Sequence, residues 1–170
     1  MKLFLRLFWL ILTQSRRSRC SMLGPCVTSM RVMPSDLDIF MHVNNGVYLT
    51  YADLGRTDLL LRANAYHRIR KQGWYPVIAA ETIRFKRSLT LGQRFTMTTH
   101  VVGWTTRSIY LEQIFESKGH FVARAVIDAR FLAKKGGIVT PTDVLAVIGI
   151  EQTSPQLPEW IHSWSEAIRS

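Results

Sequence analysis

Between Pro34 and Tyr48 the chain reads PSDLDIFMHVNNGVY, placing two aspartates, a histidine and two asparagines within ten positions, just ahead of a long apolar run. Short Asp and Asn side chains bond nearby backbone N–H groups, so this composition predicts a tight turn feeding a helix N-terminus. A carboxylate beside such a terminus sits in a positive field that keeps it ionised. The same field stabilises an oxyanion that develops on a substrate. Turn, carboxylate and helix start together suit acyl transfer. By residue type alone, Asp36 and Asp38 serve equally well as turn residues, and Asn44 and Asn45 as caps. Both readings stay open at this level.

The spacing Asp36-x-Asp38-x-x-x-His42-Val43-Asn44-Asn45-x-x-Tyr48 resembles the signature loop of hotdog-fold acyl-CoA thioesterases of the 4-hydroxybenzoyl-CoA thioesterase type, which usually reads D-x-D-x-x-G-H-V-N-N-x-x-Y. Within that family the chain is most similar to the member-six-like group, through Ser-Asp-Leu-Asp, His-x-Asn-Asn and a later Arg87-Ser88-Leu89. The resemblance runs from about Val32 to Gly137 and is specific at the loop. One position departs: Met41 stands where the family has glycine. If the backbone N–H there must closely approach a thioester carbonyl, a methionine side chain impedes it, and turnover hinges on that residue.

The resemblance implies an α+β hotdog fold, in which an antiparallel β-sheet wraps a long central helix, assembled as a homodimer or a dimer of dimers. It implies hydrolysis of an acyl-CoA or acyl carrier protein thioester to free acid and thiol, with neither metal nor organic cofactor. Asp38 matches the family's catalytic carboxylate, leaving Asp36 to shape the turn. Asp38 would attack the carbonyl to give a mixed anhydride, or act as general base on a water. His42 and Asn45 would support the loop and the oxyanion, with Asn45 capping the helix and orienting water. Met41, Tyr48 and Tyr51 would contact the acyl chain. Arg84, Lys86 and Arg87 would meet CoA phosphates, although solvated basic residues at a strand end read the same way. The alternative is a non-catalytic hotdog protein that binds acyl thioesters or acts as a membrane-associated scaffold, which Met41 and the N-terminal segment favour. Hydratase chemistry has no matching Asp/His motif.

The elements that must hold this loop surround it. At 170 residues and 47% hydrophobic, the chain can bury one sizeable core. Residues 46–70 predict one helix that starts at Asn44 or Asn45 and is followed by Gly73; its early turns carry so little polar surface that other structure must wrap it. Beyond it, Phe121, Ala123, Ala125, Ile127, Ala129 and Phe131 alternate with more polar neighbours, the period of a strand with one apolar face. Phe95 to Val101 and Ile109 to Phe115 repeat the pattern, with turns at 103–107 and 117–119. A short strand is expected over 26–33. Glu81 falls in an apolar row with Val77, Ala79, Ile83 and Phe85, and reads as a locally paired glutamate more readily than as a second site carboxylate. Trp160, Ile161, Trp164 and Ile168 form a helical stripe suited to packing.

Net charge is +10, and six of those charges, with no acidic residue, precede Asp36. The remaining chain is only mildly basic and carries no recognition motif, which excludes a nucleic-acid partner. Residues 1–13 are apolar but too short for an ordinary span of about 20 residues. Lys2, Arg6, Thr13 and Arg17 fall on one helical stripe, so the segment reads as an amphipathic helix in a membrane interface, as a packing helix, or as a cleaved signal peptide. The expected organisation is a membrane-associating helix and linker over 1–25, a hotdog domain over 26–150 and a packing helix over 151–170. The expected location is cytoplasmic, peripheral to a membrane. Cys20 and Cys26 fit neither a metal site nor a disulfide framework.

Overall fold

Apolar side chains alternating along residues 94–133 give each strand one face to bury, and in the computed structural model these faces meet in one main core. The structure describes residues 2–13 and 16–168. Its elements are α1 (Lys2–Thr13), β1 (Cys26–Arg31), α2 (Asn45–Arg62), α3 (Ala65–Lys71), β2 (Trp74–Phe85), β3 (Arg94–Trp104), β4 (Ile109–Ser117), β5 (His120–Ala133), β6 (Ile138–Val139), α4 (Pro141–Ile148) and α5 (Glu159–Ala167). The sheet runs β1-β3-β4-β5-β2, every neighbouring pair antiparallel, with β6 added to β5.

Two turns differ in extent from the sequence expectation. Gly103 and Trp104 belong to β3, where the register shifts between Val101 and Gly103, and the reversal falls at Thr105–Ser108. Ser117 stays in β4, and the tight turn is Lys118-Gly119, both at positive φ as a two-residue hairpin demands.

The stretch expected as one helix is two. Asn64 adopts φ +53°, a left-handed conformation that asparagine tolerates better than most residues, and it separates α2 from α3. Helix α2 buries Tyr48, Tyr51, Ala52, Leu54, Gly55, Asp58 and Leu59. It approaches the sheet closely at Gly55, where a Cβ would stand 2.1 Å from Met97 Cε and 2.9 Å from Gln113 Nε2. Gln113 cannot easily retreat: its Nε2 donates to Ala52 O at 2.9 Å and Thr99 Oγ1 at 3.0 Å, while Oε1 accepts from Arg56 at 3.1 Å. Glu81 lies 3.7 Å from the same arginine.

The outer sheet face carries a smaller core, in which Ile161 of α5 packs with Tyr110 and Val126, and Tyr110 and Ser165 share a 2.7 Å hydrogen bond. Helix α4 went unanticipated, although Thr140-Pro141-Thr142-Asp143 is a helix-start signature: the Thr140 hydroxyl accepts from Asp143 N at 3.2 Å. Helix α1 lies against the domain through Leu10, which is buried, and through Arg6. Among the described residues no helix is long and apolar enough to cross a membrane.

Candidate active site

Residues 37–43 form a miniature hairpin. Leu37 bridges Val43, Asp38 N–H donates to His42 O at 2.8 Å, and Met41 N–H donates to Asp38 O at 3.0 Å. The three-residue tip is Ile39-Phe40-Met41, and such loops end on a residue in the left-handed region. Met41 is that residue, at φ +61°. The local backbone therefore explains why glycine suits this position, and the methionine side chain, 60% exposed, projects to solvent. The obstruction expected at Met41 gains no support from this geometry.

The Asp38 side chain turns back on the hairpin. Its Oδ1 accepts from Phe40 N at 2.8 Å and from His42 N at 3.3 Å, leaving Oδ2 without a donor among the described residues. One oxygen thus fixes the carboxylate and the other is available for chemistry. The loop joins α2 at Asn44, whose Oδ1 accepts from Gly46 N at 2.9 Å. Asn44 is therefore the cap, and Asn45, expected to cap, is the first helical residue.

Asp36 anchors the assembly from beneath. It is only 5% exposed, and its Oδ2 accepts from Arg6 Nη2 at 2.5 Å, Met33 N at 2.7 Å and Tyr51 OH at 2.8 Å. Its backbone carbonyl accepts from Asn44 N at 2.9 Å, closing the base of the loop onto the helix cap. Burial raises the Tyr51 pKa well above the usual phenol range, with Arg6 opposing and Asp36 adding to the shift, so its hydroxyl stays protonated and donates. Tyr51, expected to contact the acyl chain, is fully buried, with its hydroxyl committed to Asp36. Tyr48 is also buried, packed edge-on against Tyr51, Phe85 and Phe115. Burial raises its pKa too, partly offset by the Leu89 backbone.

The chain after β2 flanks the hairpin: Val43 N–H donates to Leu89 O at 2.9 Å and His42 bridges Thr90. This is where Arg87-Ser88-Leu89 meets the signature loop, with Leu89 fully buried. Arg84, Lys86 and Arg87 are exposed nearby along the chain, and Arg87 Nη1 donates to Phe121 O at 2.8 Å. His42 holds the loop through its backbone and leaves its ring exposed. No group of three His, Cys, Asp or Glu side chains among the described residues is disposed to hold a metal. Sequence reasoning missed Arg6 as a partner of Asp36, and Asp58 entirely. Asp58 is fully buried on α2 and accepts from Arg17 at 3.0 Å, Thr28 at 2.7 Å and Arg62 at 3.3 Å. The one available signal was a lone cation, Arg6, inside an apolar run.

Residues 32–165 match the thioesterase-like superfamily, and the chain belongs to it. Protein THEM6 of Danio rerio is 32% identical over 163 residues, covering 95% of this chain and 79% of that protein. The long-chain acyl-CoA thioesterase FadM of Escherichia coli (strain K12) is 28% identical over 102 residues, covering 59% of this chain and 77% of that one. The crystal structure of YbaW, a probable thioesterase from Escherichia coli, superposes with a TM-score of 0.66 at 22% identity, over 72% of this chain and 97% of that one. The fold is thus the hotdog-like thioesterase fold, a curled antiparallel sheet with helices.

The backbone at Met41 makes a direct prediction. A left-handed L-residue costs about 1–2 kcal/mol, and β-branching raises that cost, so Met41→Ile should lower the free energy of unfolding in urea by about 1 kcal/mol or more. Met41→Gly should leave it nearly unchanged, because relief of that strain is offset by about 0.4–1 kcal/mol of added freedom in the unfolded chain.

Proposed function

We propose that this chain is an acyl-CoA thioesterase in which Asp38 is the catalytic carboxylate. The observation that carries the reading is the division of labour within Asp38: Oδ1 is tied into its own hairpin, and Oδ2, close in sequence to the start of α2, has no donor among the described residues. Oδ2 takes a proton from water as the oxygen attacks the thioester carbonyl, or it attacks the carbonyl itself. In either route the tetrahedral intermediate needs donors for its oxyanion. Backbone N–H groups at Asn45 and the following helical turn are suited to that task. The C–S bond then breaks, and the thiolate leaves readily; in the second route water then hydrolyses the Asp38 mixed anhydride to release the acid and restore the carboxylate. The kinship with FadM, which acts on long-chain acyl-CoA, supports this substrate class. An acyl carrier protein thioester offers the same reacting bond.

Arg84, Lys86 and Arg87 would receive the CoA phosphates, and Met41 and Tyr48 would border the acyl chain. A homodimer fits the sheet, because among the described residues β2 pairs only with β5 and leaves a twelve-residue edge open for its copy. Helix α1 presents Phe4, Leu5, Phe8, Trp9 and Leu12 to solvent, a surface suited to the interface of an anionic membrane, where the chain would work as a peripheral protein.

Thiol release from a panel of acyl-CoA chain lengths tests the enzyme. The wild type should turn over at least one of them, and Asp38→Asn should lower its kcat by about 10²-fold or more. No release at any chain length overturns the thioesterase reading, while an unchanged rate in Asp38→Asn overturns the role given to that residue. Sedimentation with phosphatidylserine-containing vesicles tests the surface: the wild type should pellet with them and a Phe4→Glu/Phe8→Glu variant should stay in solution. Equal partitioning of the two would contradict membrane binding through α1.

A further inference from the structure

We propose that Arg6 is a positioning residue for Asp38, which makes the N-terminal helix part of the catalytic framework and more than a tether. The proposal rests on the thioesterase reading above. Three donors converge on Asp36 Oδ2, and of these Arg6 Nη2, at 2.5 Å, alone carries a formal charge. It also comes from the farthest point in the sequence, thirty residues upstream. The guanidinium stands 5.0 Å over the Tyr51 ring, so one cation touches both the carboxylate and its neutral donor. The same nitrogen lies 3.4 Å from Arg31 O, at the end of β1.

Asp36 transmits this contact to the site in two directions. Two residues further on is Asp38, whose hairpin is built on the Leu37–Val43 bridge. Through its carbonyl, Asp36 also holds Asn44, the residue that caps α2. A buried carboxylate that loses its cation must take up a proton or turn toward water. Either response loosens the side-chain anchor beneath Asp38 and the helix start together. Arg17 provides an internal comparison, because it pairs with Asp58, which lies further along α2 and has no contact with the hairpin among the described residues.

Steady-state kinetics of the full chain on its best acyl-CoA, in wild type, Arg6→Ala, Arg6→Lys and Arg17→Ala, test the proposal. Misplacing a reacting group by about 1 Å costs up to about 10²-fold in rate, so Arg6→Ala should lower kcat about 10- to 100-fold with KM little changed. Arg6→Lys should restore part of the loss, and Arg17→Ala should keep the wild-type kcat. Equal losses in Arg6→Ala and Arg17→Ala, or no loss in Arg6→Ala, overturn it. If the wild type hydrolyses no acyl-CoA, the thioesterase reading falls and amide exchange decides the positioning role. The Phe40 and His42 amides should then exchange faster in Arg6→Ala than in Arg17→Ala, and equal exchange overturns the proposal.

Discussion

A carboxylate removed from water costs several kcal/mol unless donors replace the hydration it gives up. Asp36 meets that demand with donors from three separate parts of the chain: a guanidinium from α1, the Met33 amide ahead of the loop, and the Tyr51 hydroxyl from α2. The two side-chain donors are themselves held, Tyr51 by the aromatic cluster with Tyr48 and Phe95, and Arg6 by the seating of α1 through Leu10. Satisfying one buried charge therefore brings together the N-terminal helix, the strand exit and the first turns of α2. The signature hairpin stands on that junction.

The two aspartates of the loop do different work for physical reasons. Asp36 is buried and its donors are close, so it has little freedom and serves as a fixed point. Asp38 is half-buried and keeps one oxygen clear, a disposition suited to a reacting carboxylate held in one orientation. Asp58 repeats the first solution lower on the helix, where Thr28, Arg17 and Arg62 share its charge. Two of the three arginines that face these buried carboxylates, Arg6 and Arg17, belong to the N-terminal segment. The positive charge concentrated there thus serves folding as well as any membrane surface it meets.

Much of the fold was legible because it rests on local rules. Period-two alternation marked β3, β4 and β5, and the polar loop ahead of an apolar run marked the start of α2. The spacing from Asp36 to Tyr48 identified the family. What escaped depends on contacts between distant residues or on single backbone angles. Nothing near Arg6 in the sequence points to Asp36, and nothing near Tyr51 says that its hydroxyl is taken. The break at Asn64 needs one residue in a left-handed conformation, which composition alone does not require. Met41 was legible as a departure, but the backbone reason for a glycine there was not: the position has a positive φ, and the methionine side chain is exposed.

By fixing the hairpin that carries Asp38, Asp36 should act through that residue. A double-mutant cycle on acyl-CoA hydrolysis tests this most directly, comparing kcat for Asp36→Asn, Asp38→Asn and the double variant. Residues that act as a unit give strongly non-additive losses. The double variant should be no slower than Asp38→Asn alone. Losses that multiply would show that the two carboxylates work independently, and would contradict this.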